Sequence, residues 1–474
     1  MKNLKNNIKK LIDIGIALSK EKNINILLEK ILNEARIISN SDGGTVYLVT
    51  EEGKKLNFEI MHTESLNIKF GGSFTPVPDT IYPVKIYNDD GKENINNVAA
   101  VCALKGKTIS IDDAYVNEEY DFSGTKGFDV RHNYRSKSFL TIPLKNHKDK
   151  VIGVLQLINA KDGNDIVNFS DELIDLVQAL GSQASVALTN QLLIDEQKNL
   201  FRSFIKLVAE ALEQKDQATG GHCNRVPVLT MMIAEEINKD KDSLFKNFKF
   251  SDDELDELYV AGWLHDFGKV ATPEYIMNKS TKLEGLYDKI EQIKLRFEIL
   301  KKDVEIEYYK NVIKKIDLNN ESINIKLEKI DEDFKFLEKS NVGGEFMSDE
   351  FKKRIEDISN YQIIINNKKT SILNDEEVDF LTISKGTLSQ KDRKIMEDHV
   401  VLTYDLLNKL PYPDHLKKVP FYAGCHHEKI NGKGYPNGYL GDKLPIQARI
   451  IAIADVFEGL TAPDRPYKKG YKLS

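Results

Sequence analysis

Cysteine is scarce: three in 474 residues, at Cys102, Cys223 and Cys425, with no CxxC spacing. Neither a disulfide framework nor a thiolate zinc site is indicated, and a reducing compartment fits. Long apolar runs are missing too, since the longest, around Ile450 to Phe457, falls far short of the roughly 18 residues that a membrane span needs. The start, MKNLKNNIKKLIDIG, lacks the pattern of a cleavable signal. A cytoplasmic chain without a membrane span is the expectation. An excess of positive charge is also lacking: 67 Lys and Arg stand against 74 Asp and Glu, a net −7. No basic surface is available to hold a nucleic-acid backbone, so binding of a DNA or RNA duplex is disfavoured.

What is present is length and pattern. At about 150 residues per domain, the chain predicts two large domains or three ordinary ones. From Asp42 to Asn159 apolar residues alternate or run in short blocks, at GGTVYLVT, KTISI, FLTIPLK and KVIGVLQLIN, between polar turns. That is the pattern of a sheet. An amphipathic helix through Leu11, Ile14 and Leu18 precedes it, and a helical pattern without proline follows from Ser170 toward Gln214, long enough for a signalling connector. Beyond Glu210 the periodicity is helical, apart from the glycine-rich loop Asn431 to Gly441, and predicts an all-α domain. Within it, Leu283, Leu286, Ile290, Ile293, Phe297, Leu300 and Val304 alternate three and four apart like a coiled-coil seam. Ile323, Leu327, Ile330, Phe334 and Leu337 follow after a turn. The pair predicts an inserted antiparallel helical hairpin, with two ordinary bundle helices as the alternative, and its tail to about Lys385 carries no clear period. The fold expected is multidomain, α+β then all-α. A sheet domain with flanking helices covers 1–190, a helical connector 191–212, and a helical domain 213–474 with an insertion at about 284–385.

Of the nine histidines, those in the helical half of the chain fall where chemistry is suggested. His222 shares a helical stripe with Val226, Leu229 and Ile233, and His265 follows Leu255, Leu258 and Gly262. His399 shares a face with Ile395, Leu402 and Leu406, and His426 with Val419 and Tyr422. Asp455 interrupts ARIIAIADVFEGL, where a buried carboxylate without a cation or donors costs several kcal/mol. One inward histidine is usually a satisfied core residue. Five inward polar sites in one domain are better explained by convergence of His222, His265, Asp266, His399, His426, His427 and Asp455 on metal. Imidazole and carboxylate suit Fe, Mn or Zn. Seven ligands exceed one tetrahedral site and fit two bridged ions, an arrangement that serves in-line attack on phosphate esters. Lys269 stands four residues after His265, so a continuing helix projects it from the same side, toward an anionic phosphate, unless it is only a solvated lysine near a helix end.

HDFGK (265–269) together with HHEKINGKGYP (426–436) resembles the HD-GYP family. Supporting pieces are KDQATGGHCNRV (215–226), the segment LSQKDRKIMEDH ending at His399, and ADVFEGLTAPDRPYK (454–468). The resemblance covers about residues 200–284 and 385–470. It implies a metal-dependent phosphodiesterase that hydrolyses cyclic di-GMP, a bacterial second messenger, to pGpG and often onward to GMP. Carried over by motif, His222, His265, Asp266, His399, His426, His427 and Asp455 are implied as metal ligands, with Asp266 the bridging carboxylate. Asp266 and Lys269 are the implied catalytic residues, Lys269 on the scissile phosphate or the attacking hydroxide. Gly434, Tyr435 and Pro436 are implied to border the guanine-binding cleft. Read alone, the glycines of that loop are turn formers. Arg465 and Lys468 resemble the family's phosphate-contacting residues, although their spacing from Asp455 is one residue longer than the family's pattern. Some members carry a glutamate four residues before the first histidine and bind a third metal; Ala218 stands there, which implies two divalent ions, iron or manganese. The insertion falls between the HD motif and His399, where a lid or dimer contact could form. The family's domain usually continues with further helices beyond the equivalent of YKKGYKLS.

KVIGVLQLINAKD followed by FSDELIDLVQALGSQASVAL is similar to the GAF domain family, whose sheet-plus-helix members bind cyclic nucleotides, haem, bilins or nothing. Its ligand is left unknown. Asn159, Lys161, Phe169, Asp171 and Glu172 loosely resemble an N-K-F-D-E signature of cyclic-nucleotide binders, while Ser170 as a helix cap with acids in the first turn explains FSDE equally well. Cys102 and His132 are conceivable chromophore or haem ligands, but single residues like these are usually structural. The function expected is hydrolysis of cyclic di-GMP under control of a GAF domain. The alternatives are a receptor or adaptor that binds the dinucleotide without turnover, and an HD-family hydrolase of another cyclic dinucleotide such as 3′3′-cyclic GMP-AMP. A homodimer through the connector and the insertion is the expected assembly.

Overall fold

The computed structural model describes residues 2–50, 52–215, 221–242, 244–314, 320–344 and 346–462. The chain divides into two compact units, Met1–Leu200 and Phe201–Ser474. In the first, helices α1 (Lys2–Ser19) and α2 (Ile24–Ser39) lead into β1 (Ser41–Val49), β2 (Lys55–Thr63), β3 (Ile68–Gly71) and β4 (Val84–Lys85). Then come α3 (Val98–Lys105), β5 (Ile109–Ile111), α4 (Ser123–His132), β6 (Phe139–Lys145), β7 (Val151–Asp162), β8 (Asp165–Val167) and the start of the long α5 (Asp171–Glu213), whose residues from Phe201 onward belong to the second unit. The strands run in the order β3-β2-β1-β7-β6-β5, all neighbours antiparallel, with β4 on β2 and β8 on β7. The four blocks read from the sequence are β1, β5, β6 and β7.

Period two sends Val46, Ile142 and Leu155 to one face, against α2 and the Val177–Leu188 stretch of α5, and a bulge in β2 between Phe58 and Ile60 brings Ile60 to that face although Leu56 lies on the other. Tyr47, Leu56 and Val154 go to the other, against Ala99 and Cys102 of α3. With both faces covered, the first seven residues of β1 are all buried, which is why these strands read as apolar blocks rather than clean alternation. The Cys102 thiol is pushed up to about 12 by burial, and His132 is exposed at the end of α4. The N-K-F-D-E residues serve the framework. Asn159 adopts a left-handed backbone, φ 57°, and its amide ties Lys137 N–H, Tyr134 Oη and the Arg135 carbonyl together. Lys161 pairs with the buried Asp42, Phe169 packs in the core, and Asp171 and Glu172 form the first turn of α5.

The second unit contains α6 (His222–Lys239), α7 (Asp252–Leu264), α8 (Glu274–Met277), α9 (Ile290–Ile313), α10 (Asn320–Asn341) and α11 (Asp349–Ser359). After these come β9 (Gln362–Ile365), β10 (Lys368–Ser371), α12 (Asp375–Leu381), α13 (Gln390–Leu407), α14 (Val419–Ala423) and α15 (Ile446–Thr461). Helices α6, α7, α14 and α15 pack around Ala234, Leu258, Ala261, Val419 and Ile451. The insertion has a separate core of its own. Ile293, Phe297 and Leu300 of α9 face Ile330 and Leu337 of α10, together with Ile355, Ile363 and Leu381. The hairpin is there, but two expectations need correction. Helix α9 begins at Ile290, so Leu283 lies before it and Leu286 is 94% exposed rather than part of a seam. The unreadable tail folds as α11, an antiparallel β9–β10 hairpin and α12, which close over the stripe that a partner helix was expected to cover. That hairpin is an exception to the all-α expectation. No helix among the described residues is long and apolar enough to cross a membrane.

Candidate metal centre

His222 opens α6, whose packing on α7 and α15 turns the ring inward. Helix α7 starts at a reciprocal Ser251–Glu254 capping box and ends at Leu264, with His265 as the residue beyond. Asp266 then diverts the chain into a 3-10 turn, Phe267–Ala271. Lys269 is therefore not on a continuation of α7, as the spacing from His265 suggested. It reaches the centre by the tighter turn, with Nζ 2.8 Å from Asp266 Oδ2. Gly268 allows this approach, because a Cβ there would lie 1.9 Å from the His399 carbonyl oxygen on α13. Its N–H donates to Thr403 Oγ1 at 2.8 Å, and that hydroxyl donates to the His265 carbonyl at 3.2 Å. His426 and His427 follow α14 rather than sharing a helical face with Val419 and Tyr422; they lie in the turn after Ala423. Asp455 projects from α15, with Oδ1 3.4 Å from His222 Nε2.

The rings are oriented by what their outer nitrogens meet. Nδ1 of His265 faces the Gly262 carbonyl at 2.8 Å, Nδ1 of His426 the Ala423 carbonyl at 2.7 Å, and Nδ1 of His399 the Met396 carbonyl. A carbonyl only accepts, so each Nδ1 carries a proton and each ring turns its Nε2 inward. These nitrogens then face one another: His265 Nε2 is 3.3 Å from His222 Nε2, and His399 Nε2 is 3.4 Å from His426 Nε2. Two lone pairs at that distance repel unless a proton or a cation lies between them. Asp266 sits in the middle. Its Oδ2 is 3.3 Å from His265 and 3.6 Å from His222, and its Oδ1 is 3.3 Å from His399 and 3.8 Å from His426. Two groups of potential ligand atoms result, His222–His265–Asp266 and His399–His426–His427, each within 4.8 Å of one another. The donor set fits divalent metal, since it is rich in nitrogen, buried and already oriented by outer hydrogen bonds.

Electrostatics agree with a site built for positive charge. Burial would raise Asp266, but Lys269 and His265 beside it hold its carboxyl well below the usual range. Burial lowers His222, yet Asp266 and Glu458 outweigh it and lift the imidazole to about 9. Burial drives His427 down to about 4 and His426 well below its ordinary value, which keeps both rings unprotonated. Sequence reasoning missed Glu458, which accepts from His222 Nδ1 and, through Oε1, from Arg225 Nε at 2.8 Å. It also missed Glu428. That buried carboxylate takes the backbone N–H groups of Asn437 at 2.7 Å, Gly438 at 3.1 Å and Tyr439 at 3.0 Å, and so shapes the loop. Gly434 is required there, because a Cβ would lie 2.3 Å from Lys429 N. The loop stacks Tyr435 on His427, centroids 4.8 Å apart, with Pro436 next in the chain. Arg465 and Lys468 lie outside the described residues.

Residues 23–188 match the GAF domain family, and residues 219–367 and 376–474 each match an HD domain family. The cyclic di-GMP phosphodiesterase response regulator RpfG of Xanthomonas campestris is 34% identical over 95 residues, 20% of this chain and 25% of the relative. The 3′3′-cGAMP-specific phosphodiesterase 3 of Vibrio cholerae is 39% identical over 84 residues, 18% of this chain and 17% of the relative. A cyclic di-GMP phosphodiesterase of Thermotoga maritima is 32% identical over 90 residues, 19% of this chain and 24% of the relative. The matched stretch thus spans a quarter or less of the length of these relatives.

Proposed function

We propose, from the premise that the chain is a GAF domain followed by an HD domain, that it is a metal-dependent phosphodiesterase hydrolysing cyclic di-GMP to pGpG or GMP. The observation that carries this reading is the convergence of four imidazole Nε2 atoms on the two oxygens of one carboxylate, Asp266. His222, His265, His399, His426, His427 and Asp455 would hold two divalent ions, iron or manganese, with Asp266 shared between them. Such ions supply Lewis-acid stabilisation of phosphoryl charge and a water nucleophile at neutral pH. The chain's own work is positioning. Lys269, held by Asp266, presents an ammonium beside the centre for the anionic phosphate. Tyr435, fixed by its stack on His427, borders the cleft for a guanine base with Gly434 and Pro436. Arg465 and Lys468 are proposed as further phosphate contacts. The GAF ligand is not assigned.

A second reading, hydrolysis of 3′3′-cyclic GMP-AMP, is favoured by the relatives of that printed specificity, of which 3′3′-cGAMP-specific phosphodiesterase 2 is 42% identical over 89 residues. We further propose a cytoplasmic homodimer formed through α5, where Val186, Leu193, Leu200 and Leu207 are exposed at intervals of seven. The test of function is product chromatography with each dinucleotide, using anaerobically purified protein and Asp266→Ala, beside an elemental metal count. Cleavage by wild type alone, with about two metals per chain, is the expected result. Metal-loaded wild type that binds cyclic di-GMP and releases it intact would replace the enzyme reading with a receptor.

A further inference from the structure

Helix α5 ends at Glu213, and this residue together with Lys215 in the turn just beyond grips two segments that the sequence keeps far apart. Glu213 Oε1 accepts the backbone N–H of Cys223, the residue after His222, at 3.1 Å. Lys215 Nζ donates to the carbonyls of Val270 at 2.7 Å and Thr272 at 2.9 Å. Those carbonyls belong to the end of the turn that carries Lys269, which Thr272 closes by donating its N–H to the Lys269 carbonyl at 3.0 Å. Each charge meets the helix end that suits it: a carboxylate on an N–H of the first turn of α6, an ammonium on the carbonyls that finish the 3-10 turn. The helix behind them is anchored, since Ile205 and Ala209 are buried in the helical core with Cys223, Trp263 and Leu264. Leu212 and Glu213 line a cavity of about 20 Å³ together with Cys223, Asp266 and Lys269. Neither Glu213 nor Lys215 belongs to either group of potential metal ligands.

We infer that the end of α5 and the turn just after it form a clamp on the metal centre, in which Glu213 and Lys215 are positioning residues that hold His222 and Lys269 in register with Asp266. A shift or rotation of this 43-residue helix would reach these two contacts, which gives the centre a mechanical input outside its own ligands. The consequence for turnover rests on the phosphodiesterase reading; the clamp itself does not.

The test uses the full chain and four variants, Glu213→Ala, Glu213→Gln, Lys215→Met and Lys215→Arg. In metal-free protein, Glu213→Ala should speed amide exchange about tenfold in peptides from the start of α6, and Lys215→Met should do so across the Lys269 turn. Mn²⁺ should bind about tenfold more weakly to both. Turnover should fall about tenfold in kcat with KM changed less than about twofold. Gln and Arg keep the acceptor and the donors, so both should behave as wild type. Wild-type exchange and Mn²⁺ affinity in folded Glu213→Ala and Lys215→Met would overturn the clamp, as would equal losses in all four variants. Should Glu213→Ala fail to fold, Lys215→Met decides by the same readouts. If wild type cleaves neither dinucleotide, the phosphodiesterase reading falls, while exchange and Mn²⁺ titration still decide the clamp.

Discussion

Glu458 does for His222 what a backbone carbonyl does for His265, His399 and His426: it takes the Nδ1 side and leaves Nε2 for the centre. The arrangement is a charged version of the same device. Burial pushes the Glu458 carboxyl up, but His222 and Arg225 pull it down to about 2, so it stays ionised where it is buried. Removing it should weaken metal binding by about 10–100-fold, as loss of an outer partner of a ligating histidine does. Mn²⁺ titration of Glu458→Ala checks this, and wild-type affinity in that variant would sink the assignment. Signals for both residues were present in the sequence, since Glu458 is three residues after Asp455 and Arg225 three after His222, spacings that share a helix face. Their pairing across the chain was not. A different residue, Lys282, is buried at the base of the insertion with Nζ donating to the Leu381 carbonyl at 2.8 Å, and burial lowers it to about 8. The folded state disfavours the ammonium, so between about pH 8 and the free-lysine value near 10.4 the unfolded chain binds more protons and stability rises with pH. At pH 7 the cost is on the order of 3 kcal/mol, offset in part by the hydrogen bond. Lys282→Met should therefore be more stable than wild type at pH 7, with the gap shrinking toward pH 10. Urea unfolding of both proteins at the two pH values measures it, and a gap that widens with pH contradicts the sign.

At the scale of elements, the two heptad-like patterns have opposite fates. The stripe on α9 is covered within the insertion, because α10, α11 and α12 close over Ile293, Phe297 and Leu300. The stripe on α5 is open: Leu193 is 47% exposed, Leu200 72% and Leu207 63%. Apolar residues recurring every seven along a helix are stabilised by a second helix, and an identical chain offers the matching seam. Glu at both Leu193 and Leu200 should therefore convert a dimer to a monomer in sedimentation at micromolar concentration, without loss of helix content. A wild-type chain that is already monomeric there would end the proposal. The turn after α7 shows a different principle. A period of 3.6 predicted that Lys269 would follow His265 along a helix, but Gly268 lets the backbone drop onto α13, and contact with His399 and Thr403 replaces helix continuation. Local periodicity gave the neighbourhood and packing gave the path.

For the whole molecule, the first unit was legible because burying a sheet on both faces writes apolar blocks into the chain, and Val46, Leu155 and their neighbours are those blocks. The insertion's α11, β9–β10 and α12 were not legible. Their strands are four residues each with largely exposed side chains, too short and too polar to show a period. At the candidate metal centre, helical phase nominated His222, His265 and His399, the interrupted apolar run nominated Asp455, and the motifs brought in Asp266, His426 and His427, because a buried imidazole or carboxylate needs a reason that an apolar neighbour does not. What the sequence by itself determined was therefore which imidazoles and carboxylates are candidate donors and the segments that carry them. Only the tertiary structure decided which oxygen of Asp266 faces which histidines, that Glu458 and Glu428 support the centre from outside, and that Glu213 and Lys215 reach its edges. Donor identity is a property of each side chain and its helix. Pairing across more than two hundred residues, as between His222 and Glu458, is set by how helices pack and leaves no period in the chain.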